Sequence, residues 1–178
     1  MKLFQTCTAL LLAALASCAT VEPEAEAPSY YVMRHLQKAE GPDPGLTEEG
    51  RRNADTLATM IADAPPRAIY ASTTRRARET AEPAAKRFGL ALREYDPSDT
   101  AGLIARVKAD AGPVLIVGHS NTVPAIVAGL GGDLIGEIGE KDYGSLFTLR
   151  RGSSFVHRRT VHWGCDPLLG GEDSGARC

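Results

Sequence analysis

The stretch Val114-Leu115-Ile116-Val117-Gly118-His119-Ser120-Asn121-Thr122 decides the architecture. Its first four residues form an uninterrupted apolar run, the pattern of a central strand buried on both faces. The polar residues behind it then stand at the carboxyl end of that strand. Working outward, β-prone runs alternate with helical patterns. Ser29 to Met33, Ala68 to Ala71 and Leu90 to Tyr95 read as strands, and Ser145 to Leu149 and Ser154 to Arg159 as a closing pair. Thr47 to Ala64 reads as a helix, with Thr47 as N-cap, Glu48 and Glu49 in the first turn, and Pro65-Pro66 as the stop. Ala54, Leu57, Ala58 and Ile61 share one of its faces. Arg76 to Phe88 reads as a second helix ending at Gly89, in which Pro83 marks either a kink or the true start. Asp99 to Asp110 and Thr122 to Leu130 read as two more. The alternation predicts an α/β domain: a three-layer α/β/α sandwich with a mainly parallel central sheet.

The chain has 178 residues, room for one compact domain. Apolar residues make up 43% and charged residues 24%, the balance of a soluble globular protein. From Tyr30 onward 19 basic residues face 19 acidic ones. Such a neutral body has no electrostatic footprint for nucleic acid, so any anion must be held by a local cluster.

The first residues read as an export signal. Lys2 is followed by the apolar run Ala9 to Leu15, too short to span a bilayer, and then by Leu15-Ala16-Ser17-Cys18. This resembles a bacterial lipoprotein cleavage site, which implies a signal at residues 1–17 and acylation of Cys18. Ala19, next to it, resembles outer-membrane sorting, so the expected location is the cell envelope, facing the periplasm, with the lipid as the only membrane attachment. Buried acyl chains contribute ~0.8 kcal/mol per methylene. Residues 18–29, rich in Glu, Ala and Pro, read as an acidic tether, 30–164 as the domain, and 165–178 as a Gly-rich tail. Cys7 leaves with the signal. Cys165 and Cys178 either close a disulfide, worth on the order of 3 kcal/mol for so short a loop, or remain free thiols. His162 and Cys165 make a poor zinc site, because no second pair completes it.

Ligands of such sheets bind beyond the carboxyl ends of the strands. Three strand ends carry suggestive residues: Arg34-His35, Ser72 with Arg75-Arg76 just beyond, and Gly118-His119 with Asn121. Singly, each is bland; a histidine after a strand is usually structural, and Arg75-Arg76 suits a solvated helix start. Together they bring two histidines and at least two arginines to one sheet edge.

From about Tyr30 to Thr148 the pattern resembles the histidine phosphatase superfamily. The resemblance rests on Arg34-His35, Leu46-Thr47 with Gly50, Ser72, Arg76-Ala77, Glu79-Thr80-Ala81 and Gly118-His119. It implies that His35 is the nucleophile, attacking phosphorus to form a phosphohistidine that water hydrolyses. It also implies that Arg34, Arg76 and His119 bind the phosphoryl oxygens and stabilise the developing charge, with no metal or cofactor required. Nearby positive charge favours the neutral imidazole that attack needs, and the other ring nitrogen is expected to donate to a backbone carbonyl.

A carboxylic acid should protonate the leaving group. Asp96 is the first choice, with Glu94 and Asp99 as alternatives. Ser72 and Asn121 are candidate pocket liners, Asn121 as a phosphate contact. Many relatives have Gly and then Glu or Gln-Thr after Arg-His; this chain has Leu36, Gln37 and Lys38, and Lys38 either adds a phosphate donor or points to water. His157 reads as an ordinary strand residue. The expected activity is hydrolysis of phosphate monoesters or phosphoramidates by a monomer, on a small phosphorylated molecule or a macromolecule. The chain lacks the long insertions that build a lid in larger relatives. A mutase fits an exported protein poorly. The competing class is a non-catalytic envelope protein that binds phosphorylated ligands in the same pocket.

Overall fold

The computed structural model describes residues 28–164. The proposed signal, most of the tether, the C-terminal tail and all four cysteines lie outside the described residues. Within them, β1 (Tyr30–Arg34), β2 (Ala68–Ser72), β3 (Leu92–Tyr95), β4 (Val114–Gly118), β5 (Ser145–Leu149) and β6 (Val156–Thr160) form one sheet in the order β3-β2-β4-β1-β5-β6. β3, β2, β4 and β1 are parallel; β5 and β6 join antiparallel. The expected three-layer, mainly parallel sandwich is therefore the fold.

Strand alternation divides the core in two. Tyr31, Met33, Ile69, Ala71, Leu115 and Val117 face α1 (Glu48–Met60) and α2 (Arg75–Phe88). Tyr30, Val32, Ala68, Tyr70, Val114 and Ile116 face α3 (Thr100–Ala109) and α4 (Val123–Gly129). Both faces are covered, which is why β4 tolerates no polar residue. Ala54, Ala58, Ala77, Ala81 and Ala84 are all buried in the α1–α2 layer, and these small side chains let the two helices approach closely.

Thr47 caps α1 as expected, its hydroxyl accepting from the Gly50 N–H at 3.0 Å. The helix ends at Met60, before the prolines, because Ile61 turns inward and the Ala64 carbonyl accepts from the Tyr31 hydroxyl at 2.8 Å. α2 begins at Arg75, so Pro83 lies inside it and does not mark its start. β3 begins at Leu92, because the Leu90 N–H is taken by the Ala85 carbonyl at the end of α2. Asp99 caps α3 through the Gly102 N–H. β6 starts two residues later than its β-prone run, since the Phe155 N–H turns to the Ser153 hydroxyl.

Gly50 shows how tightly the loop after β1 is seated on α1. A Cβ there would overlap the Gln37 carbonyl oxygen, which already accepts from the Thr47 N–H. Gly50→Ala is therefore expected to destabilise the fold by about 1–3 kcal/mol, seen as a lower midpoint in urea with an unchanged m-value.

Candidate functional site

The parallel pairing of β1 with β4 sets Arg34 opposite Gly118. One residue further on, the His35 N–H donates to the Gly118 carbonyl at 2.9 Å. His35 and His119 thus leave neighbouring strands side by side, with ring centroids 5.4 Å apart. Gly118 is required here, since a Cβ would press on the Tyr95 and Thr122 hydroxyl oxygens.

Each imidazole is held by a neighbour. His35 Nδ1 lies 2.9 Å from the Leu36 carbonyl oxygen. A carbonyl only accepts, so Nδ1 carries the proton and the lone pair of the neutral ring is on Nε2. His119 Nε2 meets the Ser72 hydroxyl at 2.7 Å. The turn after His35 is fixed to α2 by one side chain: Thr80 Oγ1 accepts from the Leu36 N–H at 3.0 Å and donates to the Arg76 carbonyl at 2.8 Å.

Two guanidinium groups flank the rings. Arg34 is buried, and its Nη1 donates to the Gly139 carbonyl at 2.6 Å. Its Nη2 pairs with Glu140 at 3.3 Å, and the group stacks on Tyr143 at 4.5 Å from the ring centroid. Tyr143 also lies against His35, 5.9 Å between centroids. Arg76 pairs with Asp43 at 3.5 Å. The Nε–H groups of both arginines are buried without a hydrogen-bond partner among the described residues. Unmet charged donors beside two rings make a ready anion site.

The same surroundings keep both rings neutral. Burial, followed by the charges of Arg34, Arg76 and His119, lowers the His35 pKa to about 3 against the opposing bond to Leu36. Burial, then Arg76 and Arg34, lower that of His119 to about 4.

The expected residues separate into two groups. Arg34, His35, Ser72, Arg76 and His119 converge. Asp96 is fully exposed beyond β3, and its carboxylate accepts from the Ser98 N–H and hydroxyl at 2.8 and 2.7 Å. Those bonds lower its pKa and favour the ionised form, the opposite of what a proton donor needs. Glu94 is paired with Arg78, and Asp99 caps α3. Asn121 is exposed beside His119, and Lys38 bridges through its backbone to Leu46. His157 lies in the edge strand β6, and His162 stacks on Trp163. Sequence reading missed Asp43, Glu140 and Tyr143, and gave Thr80 no role. The first three sit in loops without periodicity; only the motif around Thr80 carried a signal.

Residues 31–97 match the model of the histidine phosphatase superfamily (branch 1), a span holding Arg34, His35 and Arg76 but not His119. The chain is similar in fold to a mycobacterial glucosyl-3-phosphoglycerate phosphatase in complex with inorganic phosphate: 20% identity and a TM-score of 0.59, covering 80% of this chain and 100% of that one. It is also similar to the protein histidine phosphatase SixA complexed with tungstate, at 19% identity and a TM-score of 0.55, covering 73% and 93%. A SixA protein from Nakamurella multipartitia shares 25% identity over 55% of this chain, which spans 62% of that protein, with a TM-score of 0.45. No curated protein matches the chain significantly. The family match supports the histidine phosphatase superfamily over residues 31–97, and the likeness to the first two structures is one of fold.

The depressed histidine pKa values have a thermodynamic consequence. Between about pH 6.5 and the folded values near 3 and 4, the unfolded chain binds protons that the fold refuses. Stability is thus full above about pH 6.5 and declines as the pH falls through that window. Calorimetry should show Tm dropping from pH 7 to pH 4, and His35→Asn or His119→Asn should flatten the slope.

Proposed function

We propose that this chain is a phosphatase that hydrolyses phosphate monoesters or phosphoramidates through a phosphohistidine formed on His35. The observation that carries the reading is the His35 ring itself: Nδ1–H is committed to the Leu36 carbonyl, leaving Nε2 as the nucleophilic atom of a ring that Arg34 and Arg76 are near enough to keep neutral. In the first step the Nε2 lone pair forms a bond to phosphorus while the bond to the leaving oxygen or nitrogen breaks. Arg34, Arg76 and His119 stabilise the oxygens that gain charge, with Asn121 at the outer edge. Water then attacks the phosphohistidine, releasing inorganic phosphate and restoring the ring. Asp96 is held as a carboxylate, so the reading favours leaving groups that depart with little help, such as an acidic phenol or a protonated nitrogen.

Purified protein lacking residues 1–29 should release phosphate from members of a broad monoester and phosphoramidate panel. His35→Ala should lower kcat/KM by at least about 10³-fold, and Arg34→Ala or Arg76→Ala by about 10²–10³-fold. Acid-quenched wild type should carry phosphoryl label at His35. No turnover across the panel, or label that survives His35→Ala and disappears in His119→Ala, would sink the assignment.

The location follows from Leu15-Ala16-Ser17-Cys18. We place the domain on the periplasmic side of the envelope, acylated at Cys18 and held on the acidic tether, where it would meet small or macromolecular phosphorylated substrates. Full-length protein expressed in a bacterium should incorporate labelled fatty acid and partition with membranes. Cys18→Ser should abolish both.

A further inference from the structure

Both pocket arginines carry an exposed carboxylate on a terminal nitrogen. Glu140, with its side chain 82% exposed, pairs with Arg34 Nη2, and Asp43, 56% exposed, pairs with Arg76 Nη1. The unpartnered Nε–H groups lie on the buried side of the same guanidiniums. The carboxylates thus meet only a terminal nitrogen of each guanidinium, and each Nε–H is without a partner among the described residues. We infer that Asp43 and Glu140 determine the charge selectivity of this pocket, rejecting leaving groups that carry a second anion and favouring neutral or cationic ones. The inference rests on the phosphatase reading and specifies its substrate class.

Both carboxylates are anchored. Asp43 accepts from the Arg75 N–H at the start of α2, at 3.1 Å through Oδ1 and 3.3 Å through Oδ2. It stands in for the Thr74 side chain, which gives that helix no cap. Glu140 follows Gly139, whose carbonyl accepts from Arg34 and whose N–H donates to Asp142 at 2.9 Å. In-line displacement places the leaving group opposite the buried His35 ring, so it must face solvent, where these carboxylates stand. A phosphate dianion balances the two arginines, which leaves Asp43 and Glu140 no longer compensated by them. Arg75 does not reverse this, because its Nε is bound to Glu79 at 2.6 Å. Lys38 and Lys141 lie on the same two segments and pair with neither carboxylate among the described residues. A second anion about 6 Å from one such carboxylate, in a half-solvated setting, is disfavoured roughly threefold to tenfold.

The experiment compares three small phosphate esters: O-phosphoethanolamine (cationic), glycerol phosphate (neutral) and phosphoglycolate (anionic). Wild-type kcat/KM should fall in that order. Asp43→Asn and Glu140→Gln should each narrow the cationic-to-anionic ratio about threefold, and the double variant about tenfold. A double variant whose ratio stays within about twofold of wild type would overturn the inference. So would a rise of equal size for all three esters, which would make the carboxylates mere occupants that any phosphate displaces. Calorimetric binding of 2-aminoethylphosphonate and phosphonoacetate, whose P–C bonds do not hydrolyse, reads the same selectivity without turnover. Absence of hydrolysis would then count against the phosphatase reading alone, while the order of the two phosphonate Kd values still decides this one.

Discussion

Everything at this site depends on the register of β1 against β4. Arg34 lies opposite Gly118, and the next residue of each chain segment is a histidine. A slip by one residue would carry the alternating side chains of β1 to the wrong faces of the sheet. Tyr31 and Met33 would exchange layers with Tyr30 and Val32, so the packing of both cores enforces the pairing of the two rings. Parallel orientation does the rest, since β1, β2 and β4 all end at one edge and deliver His35, Ser72 and His119 there. Sheet hydrophobicity and site geometry are one constraint seen from two sides.

That edge combines features that would be unfavourable apart. Two guanidinium groups, one of them almost wholly buried, each leave an Nε–H unmet. A buried polar group without a partner typically costs about 1–3 kcal/mol, and more when charged. The two histidines do not share that load, because burial and the arginines hold them neutral. Positive charge is thus concentrated on the two guanidinium groups, while both imidazole rings stay neutral. An anion with several oxygens would relieve the arginines and leave the His35 Nε2 lone pair free. The carboxylates of Asp43 and Glu140 meet only a terminal nitrogen of each arginine, so both Nε–H groups stay unmet among the described residues.

The layers, the parallel centre and the converging strand ends were legible because each rests on short-range pattern: an apolar run for β4, Thr47 as a cap, polar residues directly after strands. Element ends were less legible where a distant group decided them. α1 stops at Met60 because Ile61 and Ala64 serve the core and Tyr31, and β3 starts late because α2 takes the Leu90 N–H. Arg34, His35, Arg76 and His119 could be picked out by motif. The partners of the arginines could not, since Arg34 meets Gly139 and Glu140 across more than a hundred residues of chain. Asp96 had the right position along the sheet edge, but it is fully exposed and its carboxylate is bound by Ser98, and a turn two residues long leaves little trace in sequence.

Thr80 shows how position and chemistry are joined. Its hydroxyl accepts from the Leu36 N–H, one residue after His35, and donates to the Arg76 carbonyl, so both hydrogen-bonding roles are used in opposite directions. The Leu36 carbonyl that fixes the His35 tautomer belongs to the same residue whose N–H Thr80 holds. Turning that residue would weaken the bond that leaves Nε2 free, and shifting α2 would move Arg76 relative to the ring. A β-branched side chain with few rotamers suits this role, because a floppier hydroxyl would hold either bond without fixing both together. The distance between the His35 ring and the Arg76 guanidinium is therefore set by Thr80, which packs one helix on one turn.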